Sequence, residues 1–160
     1  MHASRSSSAD DAVLEAVLGA SRALVAIAAR SLADAGEEVT LTQYRSLVVL
    51  ASRGPQSLGA LAEQLGVTPP TVSRMCDRLV RKQLILRRAE PSDRRQIRVA
   101  LSARGRRLVD EVTGRRREEI ARLLSSMSAE EQTSLATSLQ RLADAAGEVR
   151  DRDWSSGWDL

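Results

Sequence analysis

The sequence predicts a mainly α-helical chain with one small β-hairpin. Three observations carry that expectation. Apolar residues recur at three- and four-residue spacing through most of the chain. Gly, Pro, Ser and Thr stand where helices would start and stop. Two short strand-like segments flank a single turn rich in breakers and charge.

The chain has 160 residues, of which 42% are hydrophobic and 28% charged. That describes a folded domain, alone or with an oligomerising extension. Aromatics are only 2%: Tyr44, Trp154 and Trp158, with no Phe. The core is therefore expected to be aliphatic. Stacking platforms for single-stranded or RNA ligands lack their residues.

Residues 1–10 read as a disordered Ser-rich leader. From Asp11 to about Leu32, Val13, Leu14, Val17, Leu18, Leu24, Val25 and Ile27 lay a broad apolar face on a first helix, which Gly36 breaks. Thr40 and Gln43 have capping-box spacing and open a second helix carrying Tyr44, Leu47, Val48 and Leu50. Gly54-Pro55 stops it.

Ser57 caps a short third helix, Leu58 to Leu65, closed by Gly66. Thr68 caps a fourth, with Pro69 at its first position, running to about Lys82. Strands are expected from Leu84 to Ala89 and from Gln96 to Leu101, joined by a protruding basic turn. Ser102 caps a fifth helix, in which Gly114 costs about 1 kcal/mol against Ala and can mark a bend. Ser128 and Glu131 open a sixth, with Leu135, Leu139 and Leu142. The stretch 147–160 is a polar tail.

Several function classes lack their materials. Cys76 is the only cysteine and His2 the only histidine, so neither an internal disulfide nor a His/Cys metal site nor a His-based triad can be built. One Lys and one Tyr leave little for acid-base catalysis, and no enzyme is expected. No uninterrupted apolar run reaches the ~18 residues of a membrane span. The leader lacks a signal peptide's apolar stretch, so a cytoplasmic protein is expected. No cofactor or metal is expected.

Charge is concentrated. Residues 1–67 carry a net −2, residues 68–107 a net +9 and residues 108–160 a net −4. A central block of that sign attracts polyanions. Overlapping its start, the stretch 58–79 has the form of a helix-turn-helix. Leu61, Ala62 and Leu65 face Val72, Met75, Cys76 and Leu79 across the turn Gly66-Val67-Thr68. Ala62 is small because the second helix crosses close above it.

The second helix turns Thr68, Pro70, Thr71, Ser73, Arg74, Arg78 and Arg81 outward. Short hydroxyls at a helix start approach bases and phosphates, and arginines neutralise phosphates or grip guanine. A generic helical hairpin shares this spacing, but the basic strand pair directly after it makes a winged helix-turn-helix. Its helix would lie in a major groove and its wing tip, Arg94 and Arg95, in an adjacent minor groove.

The stretches LTQYRSLVVLASRGP, LGALAEQLGVTPPTVSRMCDRLVRKQLILRR and AEPSDRRQIRVALSARGR resemble the multiple-antibiotic-resistance-regulator (MarR) family. Asp93-Arg94-Arg95 is similar to the family's Asp-x-Arg wing. Leu101-Ser102-x-x-Gly105 is similar to its Leu-Thr-x-x-Gly helix start. The resemblance spans about residues 11–146 and is densest over 40–107.

It implies a homodimeric transcription regulator, often a repressor. The segment 40–101 would form the winged helix-turn-helix, and the helices in 11–35 and 102–146 would intertwine with those of a second chain. A pseudo-palindromic double-stranded operator and a small aromatic or lipophilic effector are the implied partners. Ser57, Thr68, Pro70, Thr71, Ser73, Arg74, Arg78, Arg81, Arg94 and Arg95 are the expected DNA contacts, with Asp93 bracing the wing through a neighbouring arginine. Leu14, Leu18, Arg22, Tyr44 and Arg45 are the expected effector contacts. Cys76, on the apolar side of its helix, is expected to be packing with a raised pKa, not a redox sensor. Two alternatives stay open: a winged-helix DNA binder without an effector, and a dimeric protein-interaction module.

Overall fold

A long N-terminal helix, α1 (Ala3–Asp34), lies against one flank of the fold and leaves most of its surface exposed. The computed structural model describes residues 3–89, 97–149 and 154, with side chains from residue 10 onward. The remaining helices among the described residues are α2 (Leu41–Arg53), α3 (Leu58–Leu65), α4 (Pro69–Arg81), α5 (Ala103–Leu124) and α6 (Ala129–Ala145). Strands β1 (Gln56–Ser57), β2 (Ile85–Ala89) and β3 (Ile97–Leu101) form an antiparallel sheet in the order β1-β3-β2.

The helix starts follow the expected chemistry. Thr40 accepts from the Gln43 N–H at 3.2 Å, while the Gln43 side-chain oxygen accepts from the Thr40 N–H at 3.0 Å. Ser57 accepts from the Ala60 N–H at 3.1 Å, and Ser102 from the Gly105 N–H at 2.9 Å. Ser128 and Glu131 complete a second capping box. The hydrogen bonds from Ser128 hold the Glu131 carboxyl below its ordinary pKa.

Four expectations are corrected. The first helix begins at Ala3, so residues 3–10 are helical in backbone and not a disordered leader. No Gly or Pro interrupts the chain before Gly19 to stop the helix from extending backward. Thr68 stands at the N-cap of α4 but makes no side-chain cap. The Thr68 hydroxyl bonds the Thr71 hydroxyl at 2.9 Å instead of accepting from the Thr71 N–H.

The third correction is the sheet. The two-residue β1 adds a third strand, with Gln56 opposite Val99 and Ser57 opposite Arg98. The last concerns hydropathy. Asp10–Asp34 is long and apolar enough, by length and composition, to cross a membrane, because alanines fill the gaps between its larger apolar residues. Its contacts are those of a packed surface helix. It rests on α5, where Arg30 Nη2 meets Glu119 Oε2 at 2.8 Å. That bond raises the Arg30 pKa and lowers that of Glu119.

The core is aliphatic, as the composition requires. Leu47 and Leu50 of α2, Leu61 of α3, Val72, Cys76 and Leu79 of α4, Ile85 and Val99 of the sheet, and Val109 and Val112 of α5 are buried together. Ala62 is buried beneath α4. Ser46 of α2 donates to the Met75 sulfur at 3.3 Å, tying α2 to α4 inside this cluster. By contrast, α6 buries no residue within the chain. Helix α5 continues through Gly114.

Candidate nucleic-acid interface

The turn between α3 and α4 fixes how the basic helix is presented. Gly66 adopts φ 63° and ψ 32°, a left-handed conformation that glycine takes without strain. Its N–H and that of Val67 return to the end of α3, the latter to Ala62 O at 3.1 Å. Val72, Met75, Cys76 and Leu79 then point into the core, which leaves the opposite stripe of α4 outside.

On that stripe Thr68, Pro70, Thr71, Arg74, Arg78 and Arg81 are exposed and Ser73 is half-buried. Ser57 is exposed at the start of α3. Arg74, Arg78 and Arg81 carry no ion pair with the described residues, so their charge is available to a partner. The acid on this helix, Asp77, is matched by Arg87 of β2, a pair that joins α4 to the wing strand. Asp93, Arg94 and Arg95, expected at the wing, lie outside the described residues.

Three further cations were not singled out in the sequence. Arg87, Arg88 and Arg98 lie on the wing strands, and all three are exposed. Their signal was the alternation of strand residues, which needs the pairing register before it places a side chain. Cys76 is fully buried under α4, and burial pushes its thiol up to about 11, with Asp77 adding to the rise and Arg87 opposing it. Such a thiol is a packing group, not a reactive one.

A second feature lies on the far side of α2. A cavity of about 500 Å³ opens between α2, α5, α6 and the segment after α6. Tyr44, Val48, Ile120, Ala143, Val149 and Trp154 give it apolar walls, and Arg45, Arg116 and Glu148 give it charge. The Tyr44 hydroxyl lies 3.4 Å from Thr113 Oγ1 and 3.5 Å from Val109 O, so the ring is largely core and only its rim meets the cavity. Arg45 pairs with Glu148 through both guanidinium nitrogens, one at 3.1 Å. Arg53 donates to Gly147 O at 2.5 Å. Trp154 packs on the core and donates to Val149 O at 3.1 Å. Arg116 Nε is buried with no hydrogen-bond partner among the described residues.

Of the expected effector contacts, Tyr44 and Arg45 line this cavity. Leu14, Leu18 and Arg22 do not; they stand exposed on α1. Arg116, Ile120, Glu148 and Trp154 carry no shared local signal, because they come together only when α5 meets the segment after α6. No cluster of His, Cys, Asp or Glu suited to a metal occurs among the described residues.

Comparison with known proteins agrees with this arrangement. Residues 39–97 match the family model "MarR family", the span from just before α2 to the first residue of β3. The HTH-type transcriptional repressor MdtR of Bacillus subtilis (strain 168) is 36% identical over 108 residues, covering 68% of this chain and 70% of that protein. A crystal structure of RV1404 from Mycobacterium tuberculosis superposes with a TM-score of 0.81 at 44% identity, over 88% of this chain and 96% of that one. A mutant of S. aureus MepR, solved bound to an oligodeoxyribonucleotide, shares the fold at a TM-score of 0.60 and 24% identity, over 83% and 96% of the two chains. With its winged helix-turn-helix and these likenesses, the chain belongs to the MarR family of DNA-binding transcriptional regulators and is not an enzyme.

Proposed function

We propose that two copies of this chain bind one pseudo-palindromic duplex in the cytoplasm, repress transcription there, and leave when a small lipophilic ligand enters the cavity beside Tyr44. The observation that carries the DNA reading is the outer stripe of α4, where Arg74, Arg78 and Arg81 are exposed without ion pairs to the described residues beside Thr68, Pro70, Thr71 and Ser73. Arg74 serves as the base reader and Arg78 and Arg81 as phosphate contacts, with Ser57 on the adjacent backbone. Arg94 and Arg95 reach the minor groove and Asp93 steadies them.

Pairing is supported by apolar surface that the single chain leaves open. Val13, Leu14, Leu18 and Val25 of α1 are more than half exposed, as is Leu123 of α5, and Leu139 and Leu142 of α6 are nearly so. Stripes of this width bury against another element, and the occupant proposed is the same surface of a second copy. A two-fold pair places its recognition helices about one helical turn of DNA apart. Repression is the stated role of the relative MdtR.

The effector reading rests on the cavity. Its apolar walls suit a hydrophobic body, and the unpartnered Arg116 Nε suits an acidic group. A second reading, a DNA binder without an effector, is favoured by Glu148 and Trp154 already lining the same space. Selection of random duplexes on the purified protein tests the DNA reading: symmetric half-sites are expected, and recovery of no common sequence overturns it. A thermal-shift series with lipophilic acids separates the two effector readings, since a bound ligand stabilises by mass action.

A further inference from the structure

The end of α6 is turned so that the residues after it reach back to α2. Gly147 takes a left-handed φ of 72°, and the Glu148 N–H returns to Ala143 O at 3.0 Å, so the helix stops and the chain leaves its axis. Glu148 then meets Arg45 through both carboxylate oxygens, and Gly147 O accepts from Arg53 at 2.5 Å. Further along, Trp154 packs on the core and donates to Val149 O.

Trp154 also lies across a cleft. Arg106, Asp110, Thr113, Arg117 and Ile120 fall at four-three-four-three spacing, on one face of α5. Two spaces lie along that face: the cavity beside Tyr44 and a second of about 360 Å³ beside Arg106 and Asp110. Thr113, Arg117 and Trp154 wall both, so the indole stands between them as a partition.

The contacts of this segment are weak, but they join two lobes. Both side chains of the Arg45–Glu148 pair are 44% exposed, and exposed pairs contribute little. Helix α2 is tied to α4 in the core through Ser46 and Met75. Helix α6 buries no residue within the chain and carries the exposed Leu139 and Leu142. The segment therefore links the recognition helix to the surface offered to a second copy.

We propose that Glu148 and Trp154 form an internal stopper. Seated, they hold α2, and with it α4, at the angle that fits DNA; a lipophilic anion must unseat them to reach Arg45 and the full length of the cleft. The inference rests on the effector reading above and deepens it. An anion that takes Arg45 breaks the tie to α6, so DNA and ligand weaken each other by one common factor.

The test uses the lipophilic anion anilinonaphthalene sulfonate and an operator duplex recovered by selection, on full-length wild type, Glu148→Gln and Trp154→Ala. Each affinity is measured with and without the other ligand. In wild type the two should weaken each other by about fivefold or more. In both variants the sulfonate should bind more tightly than to wild type, the operator less tightly, and the mutual factor should fall toward one. Movement of the two affinities in opposite directions is the signature, since loss of a structural prop lowers both together. Should Trp154→Ala not fold, the exposed Glu148→Gln decides alone. Both affinities falling together, or both unchanged, overturns the stopper and leaves the DNA reading standing. Sulfonate that binds none of these proteins overturns the cavity as a ligand site and the stopper with it. Failure of wild type to hold any duplex at low salt overturns the duplex reading together with the stopper.

Discussion

Gly105 faces the carbonyl oxygen of Leu84 so closely that a Cβ on residue 105 would stand 2.1 Å from it. Helix α5 thereby presses its first turn against the entry to β2, where Ser102 Oγ also donates to Gln83 O at 2.6 Å. This contact joins the DNA-binding lobe to the long helix that leads away from it. It also gives a physical reason for the glycine in the motif Leu101-Ser102-x-x-Gly105.

Gly105→Ala should therefore destabilise the fold by about 1–3 kcal/mol, since backbone on both sides must move. Gly114→Ala, in the same helix, meets no atom within 4 Å and should stabilise by about 0.5–1 kcal/mol through helix propensity. Urea unfolding of the two variants checks the opposite signs. Equal effects would remove the close approach as the reason for Gly105.

Arg74→Ala should lose about 1–3 kcal/mol of discrimination between operator and random duplex. Competition binding at fixed salt reads this ratio. Arg78→Ala, at a proposed phosphate contact, should weaken both duplexes alike. Equal loss for Arg74→Ala on both duplexes would take away its base-reading role.

If the proposed effector is an acid, it and Glu148 contend for the same cations, Arg45 among them. Glu148→Gln removes an exposed ion pair worth at most about 1 kcal/mol, so a lipophilic acid should bind up to about fivefold more tightly than to wild type. Titration followed by Trp154 fluorescence in a Trp158→Phe background reads the affinity. Tighter binding by wild type would place the ligand elsewhere.

Cys76 should resist thiol reagents at neutral pH until the protein unfolds. Its native pKa of about 11 lies above the ordinary value of 9.0, so folding holds the thiol protonated. The stability gained from that is complete below pH 9 and is lost as pH rises through about 11. Cys76→Ala should flatten the decline of stability between pH 9 and 11, as measured by urea unfolding across that range. An identical decline in both proteins would show that Cys76 does not drive it.

Much of this architecture was legible because it is written locally. Thr40 with Gln43, Ser57, Ser102, and Ser128 with Glu131 each solve a helix start within four residues. The stripe on α4 follows from the 3.6-residue period, so Arg74, Arg78 and Arg81 could be placed outside before any tertiary contact was known. The cavity was not legible in the same way. Arg45 meets Glu148 and Tyr44 meets Thr113 across 103 and 69 residues of sequence, and no local pattern encodes either meeting. β1 escaped notice because two residues carry no alternation, and with it went the rung that aligns Ser57 with Arg98. Thr68 has the residue type of a cap, but its hydroxyl is taken by the Thr71 hydroxyl, a choice between two partners on one residue that the sequence does not encode.

The central proposal for this protein is that two chains share one duplex through their α4 helices. Its most direct test is the mass of the protein–DNA complex in sedimentation at low salt, using a duplex recovered by selection. Two chains on each duplex is the predicted result. A single chain on each duplex at every protein concentration, or sedimentation of protein and DNA as separate species, would contradict it.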